Sequence, residues 1–456
     1  MPDNLIDLLA CPRCGHAPLT AKGDQLHCTA CKAEFPSVGG LPWMFADAEA
    51  SLTEWRNRLH MAQQKIGHEI EGLERELKAR DIRPLSKRRV ERYLKALKEH
   101  QRKLKKLVAP MTDAPLKGSY PSYLALRTRL PVDQGLHTYY PNIFRDWCWG
   151  SDENKASMDC LRSVLHDNAE LGRVLVLGAG AGRLAYDIHR EFDNEQVVAM
   201  DFNPLLMFVA KQMADGDTLK LYEFPIAPAS LEDDAVLRTL DAPEAAGGGF
   251  SLVFGDALRA PFTNGSFDTV VTPWLIDIIS EDLPILAARI NQLLSDNGRW
   301  LNFGSLAFAS PKRTRCYSPE EVKAIVAEAG FSDPYVSQTT IPYMCSPASR
   351  HGRQEKTFTF SAYREKKVKA PARHRALPDW IVTGKEPVPL TQSFRTQAMT
   401  TQIYSFIMSL IDGRRSINDM AKVLEQQQLM QKDEAVAAIR SFLTKMHDDS
   451  QREGGL

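Results

Sequence analysis

The sequence predicts an α/β fold whose doubly wound, mostly parallel sheet carries helices on both faces. Between residues 135 and 366, apolar strand-like runs alternate with helical patterns, as expected for a parallel sheet covered on both sides. The first of these runs, Val174–Leu177, is apolar throughout. A glycine-rich turn and a helix follow it directly, which is the arrangement of a Rossmann-like nucleotide-binding unit.

Length and composition limit the class of protein. The chain has 456 residues, too many for one typical core, so several domains are expected. Its 57 basic and 57 acidic side chains cancel, which removes any overall attraction to polyanions. No apolar run approaches the roughly 20 residues of a membrane span, and no signal-peptide pattern is seen. We therefore expect a cytoplasmic protein without a membrane partner, whose eight cysteines are metal ligands or buried thiols.

Five segments are predicted along the chain. A break at Asp81–Pro84 separates two helical patterns and indicates an antiparallel helical hairpin. Basic and proline-rich composition marks a linker after the α/β domain. The predicted segments are a cysteine-rich ribbon at 1–46, the hairpin at 50–109, the α/β domain at 135–366, the linker at 367–389 and a helical module at 390–450.

Four cysteines in the first segment form two C-x-x-C pairs. Each pair bends the backbone so that two thiolates face one point, and two pairs complete a tetrahedral all-sulfur site. Four unrelated thiols are the alternative, which this spacing disfavours. Because four thiolates leave no open position for water, we expect a structural zinc ion bound by Cys11, Cys14, Cys28 and Cys31.

The glycine-rich turn after the first strand indicates a nucleotide-sized ligand. Glycine suits a turn where the backbone approaches a ligand closely or adopts positive φ, although such turns also serve geometry alone. A nicotinamide-dinucleotide fingerprint would have its third glycine at position 183, where this chain has Arg183. The predicted contacts are Gly178, Gly180 and Gly182.

Acidic residues follow the second and third predicted strands. Asp201 comes about twenty residues after the turn, where a carboxylate can accept both ribose hydroxyls. Asp256, followed by Ala257, ends the third strand, where a carboxylate can meet an adenine amino group. This pair suits adenosine better than a dinucleotide and predicts a site for S-adenosylmethionine (SAM). Another nucleotide or a vestigial pocket is the alternative.

The stretch from about Tyr140 to Tyr363 resembles the carnosine N-methyltransferase family, whose members methylate the imidazole of a histidine-containing dipeptide. Four pieces carry the resemblance: Phe144–Trp147 before the first strand, the glycine loop with its trailing arginine, the insertion Lys220–Pro225, and the ending Leu275–Asp277 of the fourth strand. By this resemblance Asp277 holds the substrate, and the residues that contact SAM are Arg145, Gly178, Gly180, Arg183, Asp201 and Asp256.

One departure from this family concerns the loop after the fifth strand. The family has a histidine there that helps to grip the imidazole, whereas this chain reads Gly304–Ser310 without one. Tyr343 or His351 could replace it, and both are alternatively ordinary loop residues. Asp277 could alternatively cap the following helix. We favour a catalytic role, in which its carboxylate accepts the N–H of a neutral imidazole or amine.

The two ends of the chain show further resemblances. The first forty-odd residues resemble small zinc-ribbon proteins that bind and activate methyltransferases. The segment Tyr404–Met420 and the helix near 434–447 resemble PqqD-like winged-helix modules, which hold the leader segments of modified peptides. A helical bundle that only packs on the catalytic domain is the alternative for this module.

These observations predict a SAM-dependent N-methyltransferase acting on a peptide or on a small imidazole- or amine-bearing molecule. An RNA methyltransferase is the runner-up, because the second hairpin helix is strongly basic between Lys87 and Lys106. Cross-pairing of these cations with the acidic first helix is the simpler explanation. A catalytically silent scaffold that keeps the fold for partner binding is the third hypothesis.

Overall fold

A computed structural model of the chain describes residues 3–112, 138–166, 169–373, 378, 380–381 and 384–453. The chain divides into two compact units, Met1–Ile70 with Leu77–Pro378, and Glu71–Glu76 with Asp379–Leu456. The predicted start of the α/β domain at residue 135 lies outside the described residues, as does part of the predicted linker, 374–377, 379 and 382–383.

The strands belong to the larger unit. They are β1 Thr20–Lys22, β2 Gln25–His27, β3 Glu34–Phe35, β4 Ser37–Val38, β5 Leu41–Met44, β6 Gly172–Leu177, β7 Asn194–Asp201, β8 Leu219–Glu223, β9 Val236–Leu240, β10 Phe250–Gly255, β11 Phe267–Pro273, β12 Leu294–Phe303, β13 Tyr335–Tyr343 and β14 Arg353–Tyr363.

The helices are divided between the two units, and those after residue 391 belong to the smaller one. They are α1 Asp3–Ile6, α2 Ala48–Glu76, α3 Pro84–Leu107, α4 Ala109–Thr112, α5 Tyr140–Phe144, α6 Ser151–Arg162, α7 Arg183–Glu191, α8 Pro204–Ala214, α9 Leu283–Leu293, α10 Pro319–Glu328, α11 Gln392–Ser409, α12 Ile417–Gln426 and α13 Lys432–Glu453. Within the part of the chain that the structure describes, no helix is long and apolar enough to cross a membrane.

Nine strands form one sheet in the order β13-β14-β12-β11-β6-β7-β10-β5-β4. The strands from β12 to β5 run parallel, and the pairs at the two edges are antiparallel. The side chains of Val174–Leu177 in β6 are at most 1% exposed, as expected for a strand covered on both faces. The prediction of a doubly wound, mostly parallel α/β fold is confirmed.

The order of the strands defines where a ligand can bind. From β6 the chain proceeds outward to β7 and β10, and it then returns to the other side of β6 for β11 and β12. Connections therefore diverge between β6 and β11, which leaves a crevice beyond the carboxyl ends of these two strands. Open α/β sheets bind their ligands at this switch point.

The cysteine-rich segment contributes strands to the main sheet. β5 pairs in parallel with β10, with Trp43 opposite Phe254, and β4 pairs with β5. The Trp43 side chain is fully buried, and its ring centroid lies 4.8 Å from that of Phe254. An isolated bridge joins Leu9 to Phe262, just after β10. The N-terminal segment is thus packed on the strand that precedes Asp256.

The predicted insertion between the second and third strands of the domain forms the hairpin β8-β9. The basic helix α3 packs against this hairpin, and the acidic turn Leu231–Asp234 lies beside it. Arg89 pairs with Asp234 at 2.8 Å, and Arg88 and Arg92 pair with Glu232. Arg88, Arg89 and Arg92 of α3 therefore pair with carboxylates of the insertion. The sequence had indicated instead that the cations of α3 would pair with the acidic residues of the first hairpin helix.

The smaller unit is helical in its described residues. Ser416 and Asp419 form a capping box at the start of α12, with reciprocal side-chain to backbone hydrogen bonds. The turn before it is closed by Asp412, which accepts the backbone N–H groups of residues 414 and 415. The core of this unit consists of Ile407, Leu410, Met420, Ala421, Leu424, Ala435 and Ile439.

Candidate active site

A cavity of about 320 Å³ lies at the switch point of the sheet. Its walls are the turns after β6, β7, β11 and β12, the segment from α5 to α6, and the ends of β13 and β14. Six residues singled out from the sequence line this one cavity: Arg145, Gly178, Gly180, Asp201, Asp277 and Tyr343.

The glycine turn is fastened to the end of β7. The Gly180 N–H donates to Asp201 Oδ2 at 2.9 Å, and the Asn203 N–H donates to Asp201 Oδ1 at 2.8 Å. Burial raises the pKa of the Asp201 carboxyl to about 6, although these backbone donors favour its ionised form. A carboxylate has about four acceptor positions, so both oxygens keep room for a ligand's hydroxyl groups.

Gly178 combines a positive φ with a close neighbour. Its φ is +74°, and a Cβ atom at this position would lie 3.1 Å from Leu275 Cδ1. The turn after β6 and the turn after β11 therefore approach each other most closely where glycine removes a side chain. This approach forms the floor of the cavity.

Arg145 begins a π-helical turn, Arg145–Trp149, between α5 and α6. Its guanidinium donates to Asp146 Oδ1 at 2.8 and 2.6 Å and lies 5.6 Å from the Tyr343 ring centroid. Gly150 closes the turn, since a Cβ atom there would lie 2.3 Å from the Arg145 carbonyl oxygen. The turn places Arg145 and Asp146 side by side on the cavity wall, a use often seen for π-turns.

Arg183 acts beside the cavity. Its Nε atom donates to both Asp187 oxygens at 2.8 Å, and its Nη1 donates to the Asp146 carbonyl at 2.9 Å. Asp187 lines the cavity, and burial raises the pKa of its carboxyl to about 6 even though Arg183 lowers it. Gly182 lies outside the lining too, with a φ of +87° and close packing against Ala210. Arg183 thus positions other residues of the wall.

Asp277 is the best-defined polar group of the cavity. Its side chain is buried, and Oδ2 accepts hydrogen bonds from Ser305 Oγ at 2.5 Å and from the Ala307 N–H at 2.8 Å. Its Oδ1 atom is buried without a hydrogen-bond partner among the residues described. The next helix begins at Leu283 with Asp282 as its N-cap residue, so Asp277 does not cap it. One oxygen is fixed by the protein, and the other is buried with its hydrogen-bonding capacity unused by the described residues.

Aromatic rings stand beside Asp277. The Trp274 ring lies 4.7 Å from that of Tyr343 and 5.3 Å from that of Phe303. Trp274 has a φ of +49°, uncommon for a bulky residue, and a Cβ atom on Gly304 would lie 2.9 Å from the Trp274 backbone. The Arg353 guanidinium lies over the Tyr343 ring, 4.6 Å from its centroid. The rings are tilted to one another, by 55° between Trp274 and Tyr343, and give the cavity an aromatic lining suited to an aromatic or cationic ligand.

Three other residues named from the sequence lie away from this cavity. Asp256 follows β10 and accepts the Leu258 N–H at 2.9 Å as the cap of a short 3₁₀ turn. Ala257 lines a different cavity, beside Cys11 and Arg373. His351 is exposed in the loop before β14. Of the two suggested replacements for the missing histidine, Tyr343 is the one that faces the cavity.

The four N-terminal cysteines converge on one point. Their sulfur atoms all lie within 4.8 Å of one another, with Cys11 and Cys31 at 3.5 Å and Cys14 and Cys28 at 3.4 Å. Tetrahedral zinc with Zn–S bonds near 2.3 Å requires sulfur separations of about 3.8 Å. The set could hold a four-coordinate metal ion with little adjustment.

Several cavity residues carried no usable signal in the sequence. Ser305 and Ala307 belong to the loop noted for its missing histidine, yet nothing indicated that they bind Asp277. Asp187 stands four residues after Arg183, a spacing that indicates an ion pair on one helix face. Asn142, Trp274 and Arg353 come together through tertiary packing alone.

Fold and site together narrow the class. A glycine turn tied to an acidic strand end, at the switch point of a parallel sheet, is an arrangement that SAM-dependent methyltransferases share with other Rossmann-like nucleotide-binding proteins. Residues 134–366, just over half of the chain, match the family model described as carnosine N-methyltransferase. The chain therefore belongs to the carnosine N-methyltransferase family.

Comparison with solved structures gives more distant similarities. Phosphoethanolamine N-methyltransferase 2 of Haemonchus contortus, solved with phosphomonomethylethanolamine and S-adenosylhomocysteine, is 21% identical with a TM-score of 0.31, over 46% of this chain and 44% of that chain. The same enzyme solved with SAM is 16% identical with a TM-score of 0.31, over 48% and 53%. A possible histamine N-methyltransferase from Thermotoga maritima is 14% identical with a TM-score of 0.31, over 50% and 94%.

The match thus spans about half the length of the two Haemonchus contortus chains. No curated protein matches the chain. These comparisons name no acceptor for it.

We expect Arg183→Ala to lower the free energy of unfolding by about 3 kcal/mol at pH 8, because it leaves the Asp187 carboxylate buried without its partner. Burial already raises the pKa of this carboxyl to about 6, and loss of Arg183 raises it further. At pH 5 the carboxyl is protonated in the variant, so the loss should be smaller there. Urea unfolding at both pH values measures it.

The double variant Arg183→Ala/Asp187→Asn is the matched control, since it removes the buried charge together with its partner. At pH 8 the double variant should be more stable than Arg183→Ala alone. Its loss of unfolding free energy should be the same at pH 5 and at pH 8. Equal destabilisation of the single variant at pH 5 and pH 8 would contradict this role of the pair.

Proposed function

We propose that this methyltransferase transfers a methyl group from SAM to a ring nitrogen of histidine in a peptide or small molecule, with other imidazole- or amine-bearing acceptors as the wider class. The observation that carries the proposal is the Asp277 carboxylate, which has Oδ2 fixed by Ser305 and Ala307 and Oδ1 buried without a partner in the described chain. Such an oxygen requires a donor from the substrate, because a buried acceptor left unsatisfied is costly.

An imidazole N–H is the donor that fits this oxygen. A neutral imidazole has one N–H and one lone pair on opposite nitrogens, so a hydrogen bond to Oδ1 would orient the other nitrogen toward the methyl group. SAM, when bound, supplies that methyl group on a sulfonium sulfur. The Trp274 and Tyr343 rings would pack against the acceptor ring, and Tyr343 would take the place of the missing family histidine.

The cofactor contacts follow from the same cavity. Asp201 would accept the ribose hydroxyls, and the backbone at Gly178 and Gly180 leaves space for the cofactor to approach. Arg145 lies nearby and would contact the polar end of SAM. We assign Asp256 and Ala257, which lie outside the lining of this cavity, to the adenine end of SAM. Gly182 and Arg183 would shape the glycine turn.

An RNA acceptor has less support. Arg88, Arg89 and Arg92 of the basic helix pair with Glu232 and Asp234, so part of its charge is already neutralised. Phosphate recognition depends on cations that are free to replace counterions. A silent scaffold has less support as well, since it has no need for a buried carboxylate with one open oxygen.

The terminal segments complete the proposal. We assign a structural zinc ion to the four converging cysteines and a zinc-ribbon character to the segment that holds them. The helical module of the smaller unit would hold a leader segment of a peptide substrate, as its resemblance to PqqD-like modules implies. None of the eight cysteines, all of which lie in the described residues, forms a disulfide, which suits a reducing cytoplasm.

The direct test of function uses purified protein, methyl-labelled SAM and separate fractions of metabolites, peptides and RNA. Label in histidine-containing peptides or metabolites, recovered as methylhistidine after hydrolysis, supports the proposal. Label confined to RNA would replace it with the RNA alternative.

We expect Asp277→Asn to lower kcat by at least about 100-fold. The amide would offer the imidazole N–H either its own N–H₂ group, which cannot accept a hydrogen bond, or a carbonyl oxygen, which accepts more weakly than a carboxylate. The dissociation constant for SAM, measured by calorimetry, should change little. Asp333→Asn, at an exposed carboxylate outside the cavity, is the matched control and should behave like the unaltered protein. Unchanged turnover in Asp277→Asn would remove Asp277 from the mechanism.

We expect SAM affinity to fall as the pH drops through about 6, the raised pKa of Asp201. Only the ionised carboxylate accepts both hydroxyls, so affinity is fully present above this pKa and decreases by up to about tenfold per pH unit below it. Calorimetric titrations between pH 5 and 8 measure the slope. Asp201→Asn should bind weakly at every pH and lose this slope, whereas a slope that persists in the variant would assign the titration to another group.

We expect about one zinc ion per chain by elemental analysis, and loss of that zinc in Cys14→Ser and Cys28→Ser. Because β5 of the same segment pairs with β10, removal of the metal should also lower the melting temperature. Cys148→Ser and Cys345→Ser, at exposed free cysteines, are the controls and should keep the metal. Zinc that remains after both N-terminal substitutions would place the metal elsewhere.

A further inference from the structure

A second cavity adjoins the proposed active site on the β12 side. It has a volume of about 560 Å³ and is formed by the segment 276–283, which follows β11, and the segment 307–311, which follows β12, with Arg315 and Tyr317. The two cavities share Asp277, Ile278 and Ala307 as lining residues. Asp277 therefore stands between the cofactor cavity and a second space at the same edge of the sheet.

The loop after β12 leaves this space open. Its residues Ser305, Ala307 and Ala309 have small side chains, and Ala307 and Ala309 are exposed. Ser305 and Ala307 hold Asp277 through a hydroxyl and a backbone N–H, so Asp277 is fixed without a bulky side chain at this position. An acceptor bound at Oδ1 of Asp277 could extend past these residues.

The charges around the second cavity are compensated within the protein. Arg289 donates to both oxygens of Glu281, at 2.6 and 2.9 Å. Asp282 accepts the Tyr317 hydroxyl at 2.6 Å and lies 3.1 Å from Arg315. Because Arg315 of the lining is already paired with Asp282, it is not free to bind a phosphate chain, and the cavity does not suit a polyanion.

The cavity also presents apolar side chains beside its polar ones. It includes the apolar residues Ile276, Ile278, Ile279, Leu283, Phe308 and Pro311. Ile278 lies at the border with the first cavity and is 43% exposed. A surface that mixes apolar side chains with the hydroxyl groups of Ser280, Ser310 and Tyr317 suits the side chains and backbone of a peptide better than a compact polar metabolite.

We propose that the acceptor is a polypeptide segment: its methylated histidine enters the first cavity at Asp277, and the residues next to it occupy the second cavity. This inference rests on the proposed function and selects among its acceptors. A dipeptide reaching Oδ1 of Asp277 would leave most of the second cavity empty. Apolar contacts along it give the longer acceptor additional binding energy.

The test compares two acceptors, carnosine and a pool of blocked pentapeptides with a central histidine and varied uncharged neighbours. Ala309→Trp fills the second cavity from a position that the first cavity does not use. Ala324→Trp, at another exposed alanine on α10, is the matched control. Turnover with labelled SAM gives kcat/KM for each acceptor, and calorimetry gives the SAM dissociation constant.

We expect Ala309→Trp to lower kcat/KM for the peptides by at least about tenfold, the discrimination that apolar contacts in a pocket provide. Its SAM affinity should be unchanged, carnosine turnover should hardly respond, and Ala324→Trp should affect neither acceptor. Methylation of carnosine alone, or equal peptide turnover in Ala309→Trp and the unaltered protein, would overturn the peptide inference and leave histidine methylation standing. Methylation of neither acceptor, with SAM bound, would overturn both.

Discussion

The hydrogen bond from the Gly180 N–H to the Asp201 carboxylate is the constraint on which the active site depends. It fixes the glycine turn against the end of β7, and the Asn203 N–H holds the other oxygen of the same carboxylate. Burial disfavours the ionised form, so the pKa of Asp201 is raised to about 6 despite two backbone donors. The carboxylate is therefore held in place but still has unused acceptor positions. Hydrogen bonds from the hydroxyl groups of a ligand to these positions would add to the free energy of binding.

The walls of the cavity are built outward from this turn. Trp147 donates its indole N–H to the Ala181 carbonyl at 2.8 Å, and Arg183 donates to the Asp146 carbonyl, so the segment between α5 and α6 is attached to the glycine turn at two points. On the other side, the close approach of Gly304 to Trp274 joins the ends of β11 and β12. Residues outside the cavity lining, such as Trp147, Arg183 and Gly304, therefore help to fix its geometry.

The first central strand could be predicted because Val174–Leu177 is a continuous apolar run before Gly178, and the next two because their apolar runs end at Asp201 and at Gly255-Asp256. The addition of β4 and β5 to the sheet edge could not be predicted, since strands of two to four residues have no readable period. Within the site, Asp201 and Asp277 follow strands and were identifiable. Ser305, Trp274 and Arg353 were not, because their roles arise from contacts between distant segments. The predicted domain boundaries stay predictions.

Under the proposed function, the partial hydrogen bonding of Asp277 bears on the kind of nitrogen that would be methylated. Oδ2 already accepts two hydrogen bonds, from Ser305 and from the Ala307 backbone, which leaves Oδ1 to the acceptor. A neutral imidazole brings one N–H and has its nucleophilic lone pair on the opposite nitrogen. A neutral primary amine has its N–H groups and its lone pair on the same nitrogen. A hydrogen bond from that nitrogen to Oδ1 would therefore fix the direction of the lone pair less well. In the proposed reaction the carboxylate would therefore select geometry as well as charge, and this favours a histidine ring over an amine.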